Sequence, residues 1–163
     1  MSKSKFKAMM IVFFDIRGVI YIDWVPESQT VNQVYYKNIL TTLRERVRQR
    51  RPDMWKNASW ILHHDNALSV KRYLAKNNIP VMGHPPYSPD LAPCDIFLFP
   101  KIKSALKGTR FESVDTVKAK VTQLLNSITQ DDLQHCFQQR KIRMERCRDR
   151  GGDYIEGDDI SIV

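Results

Sequence analysis

A chain of 163 residues, 42% of them hydrophobic, holds enough apolar material for one ordinary core and is not compositionally disordered. The net charge of +8 favours an anionic partner, nucleic acid ahead of a membrane surface. Three scattered cysteines, Cys94, Cys136 and Cys147, argue against a disulfide framework and for reduced thiols inside a cell, and a zinc set of His63, His64, His84 and Cys94 matches no common spacing.

The opening MSKSKFKAMMIVFF mimics an export signal only briefly. Its apolar run, Ala8 to Phe14, stops at Asp15 without a small-residue cleavage site and is too short to span a membrane. Residues 5–14 read as a strand, Asp15-Ile16-Arg17-Gly18 as a turn and Val19 to Val25 as the returning strand of a hairpin. Asp15 fits the usual role of an aspartate that opens a turn and bonds local backbone. Thr30-Val31-Asn32-Gln33 has the form of a capping box, with Thr30 as N-cap of a helix running to about Gln49. That helix ends in Arg44, Arg46, Arg48, Arg50 and Arg51. Cations there complement the helix dipole, and five in eight residues also suit contacts to phosphate.

Pro52 stops the helix. Ala58 to His63 reads as a buried strand, Leu68 to Lys76 as a short helix with Val70 and Leu74 facing a core, and Ile79 to Met82 as a second short strand. This order predicts a parallel crossover. Residues 85–100 hold five of the eight prolines and form a stiff, irregular loop. Beyond it, Lys101, Lys103, Lys107 and Arg110 line a basic stretch. Helices are predicted from about Ser113 to Ser127, with Val114, Val117, Val121, Leu124 and Leu125 on one face, and from the cap Thr129-Gln130-Asp131-Asp132 onward, with Leu133, Cys136, Phe137 and Met144. The second ends in RKIRMERCRDR and is broken by Gly151-Gly152. Residues 151–163 contain Asp153, Glu156, Asp158, Asp159 and no Lys or Arg, so this tail carries −4 and the preceding chain +12.

Two carboxylates carry the chemistry of interest. Asp65 follows the apolar run Trp60-Ile61-Leu62 at a strand end, and Asp95 precedes Ile96-Phe97-Leu98-Phe99 at a helix start. Both positions suit helix N-caps, and both suit ligands converging on one divalent metal. Spacing alone leaves the two readings open.

The segments HHDNA at 63–67 and HPPYSPDLAPCDIFLFPKIKSALKGTRF at 84–111 resemble the mariner transposases of the Tc1/mariner superfamily. VFFDIRG, the stretch at 25–36, RPDMWKNASWILHHDN and RMERCRDRGGDYIEGD extend the resemblance over nearly the whole chain. It implies an α/β fold of the ribonuclease-H-like kind, a mixed sheet flanked by helices. On that template residues 1–110 are part of a catalytic domain, 111–150 its C-terminal helices and 151–163 an acidic tail. The family cuts and rejoins DNA with three aspartates that hold two divalent metals, Mg²⁺ or Mn²⁺. By motif position Asp65 matches the second aspartate and Asp95 the third.

Two departures stand out. Neither Asp15 nor Asp23 matches the family's first aspartate, so the chain reads as N-terminally truncated, without the first, central strand and the helix-turn-helix modules. Open strand edges would then favour aggregation. Also, 29 residues separate Asp65 from Asp95, where the family places about 34, and the shortening falls just after Ala67. The expectation is a transposase fragment that is inactive alone. The alternative is a non-enzymatic DNA-binding or transposase-pairing relic. The implied partners are transposon DNA, a second copy or a full-length transposase, and no membrane; the implied location is the nucleus. Arg44, Arg48, Arg50, Arg51, Lys101, Lys103, Lys107 and Arg110 are the candidate DNA contacts.

Overall fold

The computed structural model describes residues 7–63, 74–77, 79, 81–82 and 97–149. They belong to two compact units. One comprises Ala8–Asp15 and Val19–His84; the other comprises Met1–Lys7, Ile16–Gly18 and Pro85–Val163.

In the first unit, strands β1 (Met9–Asp15) and β2 (Gly18–Val25) form the expected hairpin. Gly18 has φ +139°, a backbone state that a side chain rarely adopts, so the turn needs glycine there. Helix α1 (Gln33–Arg50) starts two residues later than the capping-box reading places it. Asn32, not Thr30, is the N-cap, and its side-chain oxygen accepts from the Tyr35 N–H at 2.9 Å. Asparagine caps at least as well as threonine, and here it has the extended backbone that a cap requires.

Ile39, Leu40, Leu43 and Val47 are the buried stripe of α1. Leu40, Leu43 and Val47 pack with Ile20 of β2, with Leu62 and with Leu74 and Ile79, and Phe13, Tyr21, Tyr36, Trp55 and Trp60 close the edges of this core. The spacing of the buried positions is that of one helix face laid on a sheet.

Pro52 ends α1 and opens a five-residue helix that the sequence pattern did not suggest, α2 (Pro52–Lys56), with the proline in its first turn. A Schellman motif closes α2: the Ser59 N–H donates to the Met54 carbonyl and the Ala58 N–H to the Trp55 carbonyl. Ala58 sits at φ +49°, the left-handed position that this motif demands. The expected strand from Ala58 to His63 is therefore wrong over most of its length. Only β3 (Leu62–His63) is extended in a ladder, because Ala58 and Ser59 finish the helix and Trp60 stacks on Trp55 at 6.4 Å.

β3 pairs in parallel with β4 (Val81–Met82), Leu62 opposite Val81 and His63 opposite Met82, as the crossover reading predicts. Of the crossover helix, residues 74–76 are described and helical, and Leu74 is buried. Among the described residues the strands make two separate two-stranded sheets rather than one mixed sheet. The architecture shown is thus α/β, with small open sheets and flanking helices.

The second unit is helical. Helix α3 (Phe99–Leu106) has Pro100 in its first turn and buries Ile102, while Leu98, just before it, is fully buried. Helix α4 (Val114–Asn126) is capped by Ser113, which accepts from the Thr116 N–H, and buries Val121 and Leu125. Helix α5 (Gln130–Asp149) starts where its cap predicts: the Thr129 hydroxyl accepts from the Asp132 N–H at 3.2 Å, and Leu133 and Cys136 are buried. No helix among the described residues is long and apolar enough to cross a membrane.

Candidate functional site

Asp65 and Asp95 both lie outside the described residues. What is described is the frame beside them. β3 ends at His63, two residues before Asp65, and α3 begins at Phe99, four residues after Asp95. Chains leaving the carboxyl ends of parallel strands supply ligands in many α/β folds, and Asp65 follows such an end. Two carboxylates offer the hard oxygen donors that Mg²⁺ or Mn²⁺ takes. Among the described residues no group of three or more His, Cys, Asp or Glu converges to hold a metal, so that region does not supply a completed ligand set.

The two aspartates of the hairpin are committed elsewhere. Asp15 accepts two parallel hydrogen bonds from Arg51, Nε to Oδ2 at 2.7 Å and Nη2 to Oδ1 at 2.8 Å, with the side chains only 12% and 18% exposed. This fork joins the end of β1 to the α1–α2 junction. Asp23 accepts from the Tyr21 hydroxyl at 3.2 Å and from the Tyr35 hydroxyl at 2.5 Å, which fastens the first turn of α1 to β2. The bond to Asp23 pushes the Tyr35 phenol up to about 12, with burial and the same carboxylate's charge adding to it. The Tyr21 phenol is also raised, by burial first and then by Asp23.

The arginine run of α1 is similarly employed within its own unit. The Arg44 guanidinium lies 5.3 Å over the Trp55 ring, and that of Arg46 lies 5.8 Å over Tyr21. Arg48 pairs with Glu45 one turn back, holding that carboxyl below its ordinary range. Arg50 donates to the Val19 carbonyl at 3.2 Å, and Arg51 holds Asp15. Of these, Arg48 and Arg50 are exposed. In the second unit Lys101 lies over the Phe97 ring and donates to Asp132 at 2.9 Å, and that hydrogen bond, with a second from Thr129, lowers the Asp132 carboxyl. Lys103, Lys107 and Arg110 are exposed.

Sequence reasoning missed the Tyr21–Asp23–Tyr35 cluster and the Asp15–Arg51 fork. The alternation Tyr21, Asp23 on one strand face places the first pair, but nothing local identifies partners 12 and 36 residues away.

Comparison with known proteins adds four findings. Residues 2–57 match the family model described as transposase (partial DDE domain). The mariner Mos1 transposase of Drosophila mauritiana is 32% identical over 156 residues, 92% of this chain and 45% of that protein, so the chain spans about half the length of that relative. A solved Mos1 transposase catalytic domain with raltegravir and Mg superposes with a TM-score of 0.81 at 32% identity, over 91% of this chain and 77% of that one. A Mos1 paired-end complex with Mn gives 0.84 at 31% identity, over 96% of this chain and 48% of that one.

Proposed function

The chain belongs to the mariner family of transposases, and we propose that it carries part of that family's machinery for metal-dependent cleavage and transfer of DNA strands. The observation that supports this reading best is the match along nearly the whole chain to a catalytic domain; the resemblance of HHDN and SPDLAPCD to the family's motifs makes Asp65 and Asp95 its candidate metal ligands. On this reading the domain is ribonuclease-H-like through residue 110, with 111–150 as its helical continuation. Asp65 and Asp95 hold Mg²⁺ or Mn²⁺, the kind of ion found in the relatives' structures. Such an ion activates the attacking oxygen and stabilises the leaving one. The partners are transposon DNA and a second transposase chain, and the compartment is the nucleus. The exposed cations Arg48, Arg50, Lys103, Lys107 and Arg110 are the best placed of the candidate contacts to meet phosphate.

The chain acts without catalysis when alone. The specific observation favouring this is that the hairpin carboxylates are each bonded to other side chains, Asp15 to Arg51 and Asp23 to Tyr21 and Tyr35. Two carboxylates facing each other without a full metal complement repel. The test is nicking of supercoiled DNA with Mg²⁺ or Mn²⁺, beside Asp65→Ala and Asp95→Ala. The expected result is no cleavage by the parent chain, with DNA binding that weakens steeply as salt rises. Cleavage abolished by both substitutions would overturn the non-catalytic reading and restore the enzymatic one. DNA binding indifferent to salt would remove the case for a basic surface.

A further inference from the structure

Strand β1 is apolar from Met9 through Phe14, carries no lysine or proline, and among the described residues is hydrogen-bonded to β2 and to no other strand. Edge strands of folded proteins usually carry such breakers, because a long apolar edge is a template for another strand. Burial points the same way. Val12 is buried, Met10, Ile11, Phe13 and Phe14 are half-buried, and Met9 is 57% exposed. A lone two-stranded hairpin is marginal by itself, and further strands stabilise it. We propose that β1 is a docking edge for a second copy of this chain, the two β1 strands pairing antiparallel about a two-fold axis into one continuous sheet. This gives a surface to the second-chain partner of the reading above, but it stands on the strand edge and requires neither DNA nor metal.

Self-complementarity favours a second copy over an unrelated strand. A two-fold axis sets the same surface on both partners, so β1 must fit its own reverse. With the axis through Ile11, Ile11 meets Ile11, Met10 meets Val12, Met9 meets Phe13 and Lys7 meets Asp15. Branched aliphatic side chains then face each other at the centre and a thioether lies against a phenyl ring on either side. At each end the exposed Lys7 faces a carboxylate. With the axis through Val12 instead, Met9 meets Asp15 and Lys7 meets Arg17. Like charges directly opposite destabilise a sheet, so charge selects the Ile11 register. Pairing of this kind uses up the β1 edge of both copies, so it closes as a dimer rather than growing into a filament.

The experiment is sedimentation velocity of the full chain, without DNA or divalent metal, across the micromolar range. The parent should form a discrete dimer. Ile11→Lys and Ile11→Glu should each weaken dimerisation by about tenfold or more, because each places like charges together on the axis, and an equimolar mixture of the two should restore the dimer. A parent that stays monomeric, or that grows into open-ended assemblies, overturns the proposal whatever the variants do. Variants that dimerise as the parent does overturn the edge, and weakened variants that their mixture fails to restore overturn the register. Hydrogen exchange of the parent decides the case without any substitution, which covers a variant that fails to fold. The amides of Met9 to Phe13 should gain protection as the chain is concentrated into the dimer range, and protection that does not change with concentration overturns the edge. None of these outcomes depends on whether the chain binds or cuts DNA.

Discussion

Asp15 and Asp23 sit on one hairpin, yet their side chains meet different chemistry. The Asp15–Arg51 fork is largely shielded from water and bidentate, so it exceeds the small worth of an exposed ion pair. Asp15→Asn should lower unfolding stability by about 1–3 kcal/mol in urea denaturation, and Arg51→Lys should not be neutral, because an ammonium cannot present two parallel donors. A loss below about 0.5 kcal/mol in both variants would reduce the fork to a surface pair. Tyr35 offers a separate pH-dependent signature. Its phenol holds its proton more tightly in the folded chain, up to about 12 against an ordinary 10.0, chiefly through the bond to Asp23. The stabilisation is therefore complete below pH 10 and is lost as pH rises from there towards 12. The parent should lose stability more steeply across that window than Tyr35→Phe; parallel curves would deny the bond an energetic role.

At the scale of elements, the α1–α2–β3 passage decides how the first unit is built. Arg51 is a joint: its N–H donates to the Val47 carbonyl as α1 ends, and its own carbonyl accepts from the Trp55 N–H as α2 begins. Seven residues on, the Schellman motif forces Ala58 into a backbone state that costs a side-chain-bearing residue about 1 kcal/mol. Ala58→Gly should therefore raise stability by up to about 1 kcal/mol, offset in part by glycine's greater freedom when unfolded. Equilibrium unfolding in urea measures it, and a loss of stability would contradict the assigned cap. This passage also explains which elements were legible beforehand. The hairpin, α1, α4 and α5 each carry periodic apolar residues and polar caps, so periodicity finds them. α2 is too short for a period, and an alanine in the left-handed position gives none of the warning that a glycine would, so Ala58 to His63 reads as strand.

At the scale of the molecule, motif and geometry inform different things. The motifs HHDN and SPDLAPCD, by resemblance, propose Asp65 and Asp95 as metal ligands, and both residues lie outside the described part of the chain. The arginine cluster was equally legible as charge, but not as contacts. Arg50 and Arg51 find Val19 and Asp15 only through tertiary folding, 31 and 36 residues away in sequence. A basic run can thus hold its own fold together and still leave Arg48 and Arg50 exposed to a polyanion. The nearly parallel Trp55 and Trp60 rings, 6.4 Å apart with 19° between their planes, have a use beyond packing. Rings so close shield each other from water, so replacing either with phenylalanine should change the near-ultraviolet circular dichroism and tryptophan emission of the folded chain, and a spectrum unchanged by both replacements would deny the contact. That signal reports whether the corner between α2 and β3 has formed. It therefore separates an intact chain that does not cut DNA from one that has simply lost its fold.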